Sequence, residues 1–285
     1  MRAEGQDHVP KKRMAKALED YMHGDDAFAR EVFGGETVIG RALAHESAFS
    51  KDELPDVLSW EKATTIIEDS TLISVSLCYC RHKAEHLDKR CAAPMENCLS
   101  INGGADFIIR RKFGREIEKA EALDILEQAK EHKLVHIADN VLEYPTYLCN
   151  CCSCCCEQLS AINTWGLPAV NPSSFLPQSE LQGCKGCSKC AKACPVMAIT
   201  MQPSRVEAQI KNKMTPHIDT IRCIGCGICA DVCKRGAMTM QRRAEKPNIP
   251  RTVMERLLKM AIERGHLPHL IFDQGSSRGA KFMNQ

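Results

Sequence analysis

A chain of 285 residues has room for roughly two or three domains. Its net charge of +2 gives no electrostatic case for nucleic acid, and with 5% aromatic residues it offers few stacking platforms for single strands. No apolar run approaches the roughly 20 residues of a membrane span, and the polar Met1–Pro10 is followed by no apolar stretch. Neither a transmembrane segment nor a secretory leader is therefore expected. The outlier is cysteine, with 18 residues. In an unexported chain they point to a reducing cytosol and metal ligation, and away from a disulfide scaffold. Oxygen attacks exposed iron–sulfur clusters, so an anaerobic setting is expected as well.

In chain order, residues 1–12 read as a solvated tail ending in the basic run Lys11-Lys12-Arg13. Met14, Leu18, Tyr21 and Met22 share one helical face. Asp25 or Asp26 is placed to cap a second short helix that carries Phe28 and Val32 and stops at Gly34-Gly35. The abrupt start on a helix is what a chain lacking an earlier portion would show. Nothing catalytic is expected before residue 55. Ser59 is placed to cap a helix with Ala63, Ile66 and Ile67. Ile73–Leu77 alternates apolar and polar residues, as a half-buried strand does, and delivers the chain to Cys78. Glu118–Lys133 is an amphipathic helix with Ala122, Leu123, Leu126 and Ala129 inward. Leu134–Ile137 is a second short strand, and Thr146-Tyr147-Leu148 leads into Cys149. Gly166, Pro168, Pro172 and Pro177 mark residues 164–177 as a linker. Near the end, Pro250 opens a helix to Arg264 with Val253, Leu257, Leu258 and Ala261 on one face, and Gly265 stops it. Leu270-Ile271-Phe272 is expected to pack back on the body, ahead of a frayed end.

Between Cys184 and Cys233 one spacing is written twice. Cys184-x2-Cys187-x2-Cys190-x3-Cys194-Pro195 is followed by Cys223-x2-Cys226-x2-Cys229-x3-Cys233. Three closely spaced thiolates wrap three corners of a [4Fe–4S] cube, while the fourth, one helical turn on, points away to the other cube. Cys184, Cys187, Cys190 and Cys233 are thus expected on cluster 1, and Cys223, Cys226, Cys229 and Cys194 on cluster 2. A shift of 39 residues also lays Ala198-Ile199-Thr200-Met201 on Ala237-Met238-Thr239-Met240, the mark of two pseudo-symmetric halves. Lys234 stands where the first half has Pro195, and the connection from Gln202 to Thr220 is long for a compact unit. Zinc sites more often use two cysteine pairs across a longer gap. Residues 178–241 resemble the bacterial two-[4Fe–4S] ferredoxin.

Ten cysteines remain. Cys78, Cys80, Cys91 and Cys98 form one set, and Cys149, Cys151, Cys152, Cys154, Cys155 and Cys156 form another. Adjacent cysteines on a strand point to opposite faces, so the second set cannot turn six sulfurs onto one cube without sharp turns. Two further [4Fe–4S] clusters using eight of the ten is the simplest reading. One extra cluster with spare thiols, or a non-cubane cluster on more than four thiolates, remain alternatives. Arg81 either donates to cluster sulfur or is a surface arginine. His82 reads more readily as a hydrogen-bonded histidine than as a ligand or proton carrier. The pattern Cys78-Tyr-Cys80-Arg81-His82, Cys91, Pro94, Cys98 and then CNCCSCCC is similar to a family of iron–sulfur proteins from anaerobes. In that family such a module precedes a two-cluster ferredoxin domain. The resemblance spans most of residues 36–272 and implies redox electron transfer without an assigned reaction.

The expected fold is α+β: a small α/β cysteine-rich unit, then a ferredoxin-like dicluster domain, with helical N- and C-terminal segments. The boundaries read as 1–55, 56–166, 178–241 and 242–285. No dinucleotide fingerprint, phosphate loop or nucleophile elbow is present, so no nucleotide cofactor is expected. Lys185, Lys189, Lys192, Arg222, Lys234 and Arg235 flank the ferredoxin loops, where positive charge favours the reduced cluster and an acidic redox partner. The expected function is electron relay through several [4Fe–4S] clusters, as a protein or subunit of an anaerobic oxidoreductase complex. An enzyme with a catalytic cluster at Cys149–Cys156 and an iron–sulfur redox sensor are the alternatives.

Overall fold

A computed structural model describes residues 10–50, 57–204 and 214–268. The tail before Pro10 and the segment Leu270-Ile271-Phe272 lie outside them. The chain opens with α1 (Lys11–His23), so the basic run begins the helix. Ala15 is buried, while Met14 and Tyr21 stay exposed. Asp25 caps α2 (Asp26–Phe33) by accepting from the Ala27 amide.

A mixed sheet of seven strands follows. Its members are β1 (Gly40–Leu43), β2 (Ile73–Leu77), β3 (Glu96–Ile101), β4 (Arg115–Glu116), β5 (Val135–Asp139), β6 (Tyr147–Cys151) and β7 (Val170–Asn171). They lie in the order β4-β2-β3-β6-β5-β1-β7, antiparallel except for the parallel pair β1–β7. Period-2 alternation sends Leu43, Val75, Leu99, Ala138 and Leu148 to one face. There they meet α3 (Ala63–Glu68) and α6 (Lys119–Glu131) through Ile66, Ile67, Ala122 and Leu126. The cap of α3 differs from expectation. Ser59 starts a separate 3-10 turn, and Lys62 holds the N-cap position without a side-chain bond.

The other face carries Ala42, Val135, Ile137 and Cys151. It packs on α2, on α7 (Glu157–Trp165) and on Val196, Ile224, Cys226 and Ile228 of the later cysteine run. One apolar core therefore joins the sheet to the downstream half. The expected linker is part of this join. It forms β7 and most of β8 (Phe175–Ser179), and Val170 and Phe175 are buried.

In the downstream half, β8 pairs with β11 (Met238–Arg242), and β9 (Ile199–Pro203) pairs with β10 (Met214–Ile218). The 39-residue shift carries β8 onto β10, β9 onto β11, and α8 (Lys189–Ala193) onto α9 (Ile228–Asp231). Each half thus pairs its first strand with the last strand of the other. The long connection from Gln202 belongs to the β9–β10 pair, with residues 205–213 outside the described ones.

Between β2 and β6 the chain also forms α4 (Tyr79–Glu85) and α5 (Gly103–Arg110), which sequence patterning did not single out. Near the C-terminus, Thr252 caps α10 (Val253–Glu263) through the Glu255 amide. Its docking is more polar than expected. Leu257 and Leu258 stay exposed, while buried Arg256 pairs with the fully buried Asp139 and donates to the Ile39 carbonyl. No described helix is long and apolar enough to cross a membrane.

Candidate metal centres

All 18 cysteines are free. In the repeated run, three backbone positions per half take positive φ at matching places. They are Gly186 and Gly225, Ser188 and Gly227, and Met197 and Gly236. The loop geometry is thus conserved between halves although two of the first half's residues are not glycine, the residue type that adopts this region without cost. These turns bring Cys184, Cys187, Cys190 and Cys233 around one cavity of about 240 Å³. Lys185, Lys189, Lys234 and Arg235 ring it. Cys194 does not line it. That thiol neighbours Cys223, Cys226 and Cys229 instead, and burial, followed by the charges of neighbouring cysteines, pushes the Cys226 and Cys229 thiols up. Backbone amides reach sulfur at Gly186 to Cys184 Sγ (3.4 Å) and Ala198 to Cys194 Sγ (3.2 Å).

The ten central cysteines separate into two groups. Cys91, in the loop after α4, meets Cys152, Cys154 and Cys155 from the turn after β6. Their four sulfurs lie within 4.8 Å of one another. The Cys91–Cys152 and Cys154–Cys155 sulfur separations of 3.7 and 3.3 Å are far beyond a disulfide bond. Cys154 is exposed and Cys155 buried.

The other six surround a chamber of about 210 Å³, which Cys152 of the first group also lines. Cys78 follows β2 as the N-cap of α4, Cys80 lies in α4, Cys98 lies in β3, Cys149 and Cys151 lie in β6, and Cys156 is the N-cap of α7. Neighbouring β3 and β6 set the Cys98 and Cys149 sulfurs 3.9 Å apart. Sulfur contacts then link Cys149 to Cys151, Cys151 to Cys156, Cys156 to Cys80, and Cys80 to Cys78. Sulfur crowding raises the Cys151 thiol, first through the Cys149 and Cys156 contacts and then through burial. A bound metal would let these crowded thiols ionise together.

Arg81 is not a surface residue: it is fully buried and lines this chamber. Its Nη2 donates to Asn97 Oδ1 and to the Asn150 carbonyl (2.9 Å), while Nε and Nη1 meet no hydrogen-bond acceptor. Burial opposes its charge, but the thiolates of Cys78, Cys152 and Cys151 outweigh that and raise its pKa. Asn97 is 2% exposed, and its Nδ2 is also unpartnered. Thiolates for iron and unpartnered N–H groups for sulfide form a donor set that fits an iron–sulfur cluster. His82 does not line the chamber. It is buried, with its Nε2 3.1 Å from His86 Nε2.

Asn97, Asn150 and the residues that tie the halves together carried no sequence signal. Asn150 Oδ1 meets His136 Nδ1 at 2.7 Å, and Asn150 Nδ2 donates to the Asn97 carbonyl. The His136 ring lies against that of His45, tilted by 38°, with ring centres 4.6 Å apart. His45 Nδ1 lies 2.6 Å from Asp231 of α9, and the His45 amide donates to the Cys226 carbonyl. Buried Lys83 pairs with Glu19 and Glu157, so an ammonium already sits between those carboxylates.

A family described as 4Fe-4S dicluster domain matches residues 183–237. No curated protein and no solved structure matches the chain. The molecule is therefore a mixed α/β protein that carries a 4Fe–4S dicluster domain beside a second cysteine-rich region. The match stops at the dicluster domain and leaves the ten central cysteines without a counterpart.

Proposed function

We propose that this chain is an iron–sulfur electron-transfer protein, or such a subunit of an oxidoreductase complex, working in an anaerobic cytosol. Cluster 1 takes Cys184, Cys187, Cys190 and Cys233; cluster 2 takes Cys223, Cys226, Cys229 and Cys194. The central cysteines hold further clusters, and Cys91, Cys152, Cys154 and Cys155 supply the four thiolates of one cubane. Bound clusters supply one-electron redox chemistry. The protein's residues hold them, exclude water and place them near one another.

The observation that carries this reading is the shared core. Cys151 and Cys156 of the central unit pack in the same apolar cluster as Cys223 and Cys226. Cys152 and Cys194 line a single groove of about 670 Å³. Electrons on cluster 2 thus have a packed route to either central group. The same groove is edged by Lys133, Lys189, Lys192 and Lys234, all exposed. Its one acid, Asp231, is bound to His45. This balance favours an acidic redox partner.

The test is an anaerobic redox titration followed by EPR, with iron and acid-labile sulfide counted per chain. Reducible [4Fe–4S] signals with more than about 8 iron atoms per chain support clusters in both regions. Absence of any reducible [4Fe–4S] signal overturns the reading.

A further inference from the structure

We propose that the chamber of Cys78, Cys80, Cys98, Cys149, Cys151 and Cys156 holds one non-cubane cluster. It has about the size of a cubane but takes more than four of these thiolates, with Arg81 and Asn97 donating to its sulfide. This rests on the iron–sulfur reading above and goes beyond it in ligand number and cluster type.

The ferredoxin cavity serves as an internal ruler. About 240 Å³ is lined there by four cysteines. The chamber has about 210 Å³ and is lined by these six and, at its edge with the tetrad, by Cys152. A cubane offers four iron corners, one thiolate each. The chamber therefore has the room of a cubane and two sulfurs too many for it. None of the six stands aside, because all of them line the one chamber, with the Cys98 and Cys149 sulfurs 3.9 Å apart. Cys152 also reaches the chamber, but the tetrad of Cys91, Cys152, Cys154 and Cys155 closes on four sulfurs of its own, so none of the six is needed there.

Charge points the same way. A cluster with extra thiolates is more negative than a cubane with four. The ferredoxin cavity sets exposed lysines and an exposed arginine around its sulfurs. The chamber has a fully buried guanidinium with two unpartnered N–H positions, and Asn97 adds a third donor. A buried cation without a carboxylate partner is costly unless an anion faces it. Here thiolates, Cys152 among them, face the guanidinium, and the cluster they would hold supplies the further negative charge for its unpartnered N–H positions.

The experiment replaces each of the six cysteines by alanine, one at a time, in the full chain purified anaerobically. Iron and sulfide are counted, and Mössbauer and EPR spectra are recorded. The two ferredoxin signals report folding within each sample. At least five of the six variants should lose chamber iron or change its spectrum. Arg81→Met should shift the chamber signal while the ferredoxin signals stay in place, and Arg81→Lys should restore it only in part. If two of the six variants leave iron count and spectrum unchanged, the chamber holds an ordinary cubane with two spare thiols and the proposal falls. A wild-type chain with only ferredoxin iron also overturns it while leaving electron transfer intact. A chain without iron overturns the broader reading.

Discussion

The two cysteine-rich regions place their sulfurs by different means. Between Cys184 and Cys233, spacing does most of the placing, and the 39-residue shift repeats strands, helices and positive-φ positions. In the central unit the fold does it. The chamber draws on β2, β3, β6, α4 and the cap of α7, which meet because the sheet order sets β2, β3 and β6 side by side. A site encoded by spacing is local and repeatable. A site encoded by topology exists only when the whole sheet has formed. Yet both regions close on one apolar core, so neither is expected to stand alone.

Iron removal should have the largest effect. Chelation under anaerobic, reducing conditions leaves crowded thiols inside the core that joins sheet and ferredoxin run. Helix and sheet signals in circular dichroism should then be lost together, in one transition. Two separated transitions, with the central sheet surviving the first, would show that the regions fold independently despite their contact.

Substituting single ligands sharpens the contrast. Cys187 is exposed, whereas Cys226 is 8% exposed and belongs to the shared core. Serine is a poor substitute for thiolate at iron, so Cys187→Ser and Cys226→Ser should each lose one ferredoxin cluster. Only Cys226→Ser should also lower the melting temperature of the central sheet markedly. Unchanged iron content in either variant would refute its ligand assignment. Equal melting temperatures would refute the core coupling.

Gly225 and Gly236 test the same seam without touching a ligand. Both have positive φ, at 70° and 64°. A Cβ at Gly225 would lie 2.3 Å from both the Phe175 carbonyl oxygen and Ser173 Oγ, while one at Gly236 meets nothing within 4 Å. Gly236→Ala should cost about 1–2 kcal/mol for the left-handed backbone alone. Gly225→Ala should cost several times that, because the β7–β8 segment must move. Equal costs in denaturant melts would mean that this segment is loosely held.

These contrasts follow what the sequence disclosed. Cys184–Cys233 was legible because local spacing implies local geometry, and Ile73–Leu77 and Asp25 were legible by alternation and capping. The 4-plus-6 grouping of the central cysteines was not. Cys91 lies closer in sequence to Cys98 than to Cys152, yet Cys152 is its partner. Nothing in a linear pattern states that β3 lies beside β6. Residues 164–177 were misread for a related reason. Their prolines and glycine report turns, but the parallel β1–β7 pair and the β8–β11 pair are long-range contacts. Arg81 was ambiguous because burial of one charge depends on which sulfurs surround it.

The smallest expected effect sits where the two regions meet. His136 of β5 is 2% exposed, donates from Nδ1 to Asn150 Oδ1, and packs at a tilt against His45, which reaches Asp231 of α9. Burial first, and the nearby His45 second, push His136 down to about 3 from an ordinary value of 6.5. The native protein therefore keeps this ring neutral across the range in which the unfolded chain protonates it. Stability from this group is complete above pH 6.5 and falls as pH drops towards 3, by at most about 1.4 kcal/mol per pH unit. From pH 7.5 to 5.5 the wild type should lose about 1.4 kcal/mol through His136. His136→Gln removes the titrating ring, so its stability should fall less over that interval, whatever its absolute value. Anaerobic denaturant titrations at the two pH values measure the difference directly, and iron counts at each pH keep acid loss of clusters out of the comparison. An identical pH slope in both proteins would mean that His136 is hydrated or charged in the native state, and that the seam is wetter than its burial shows.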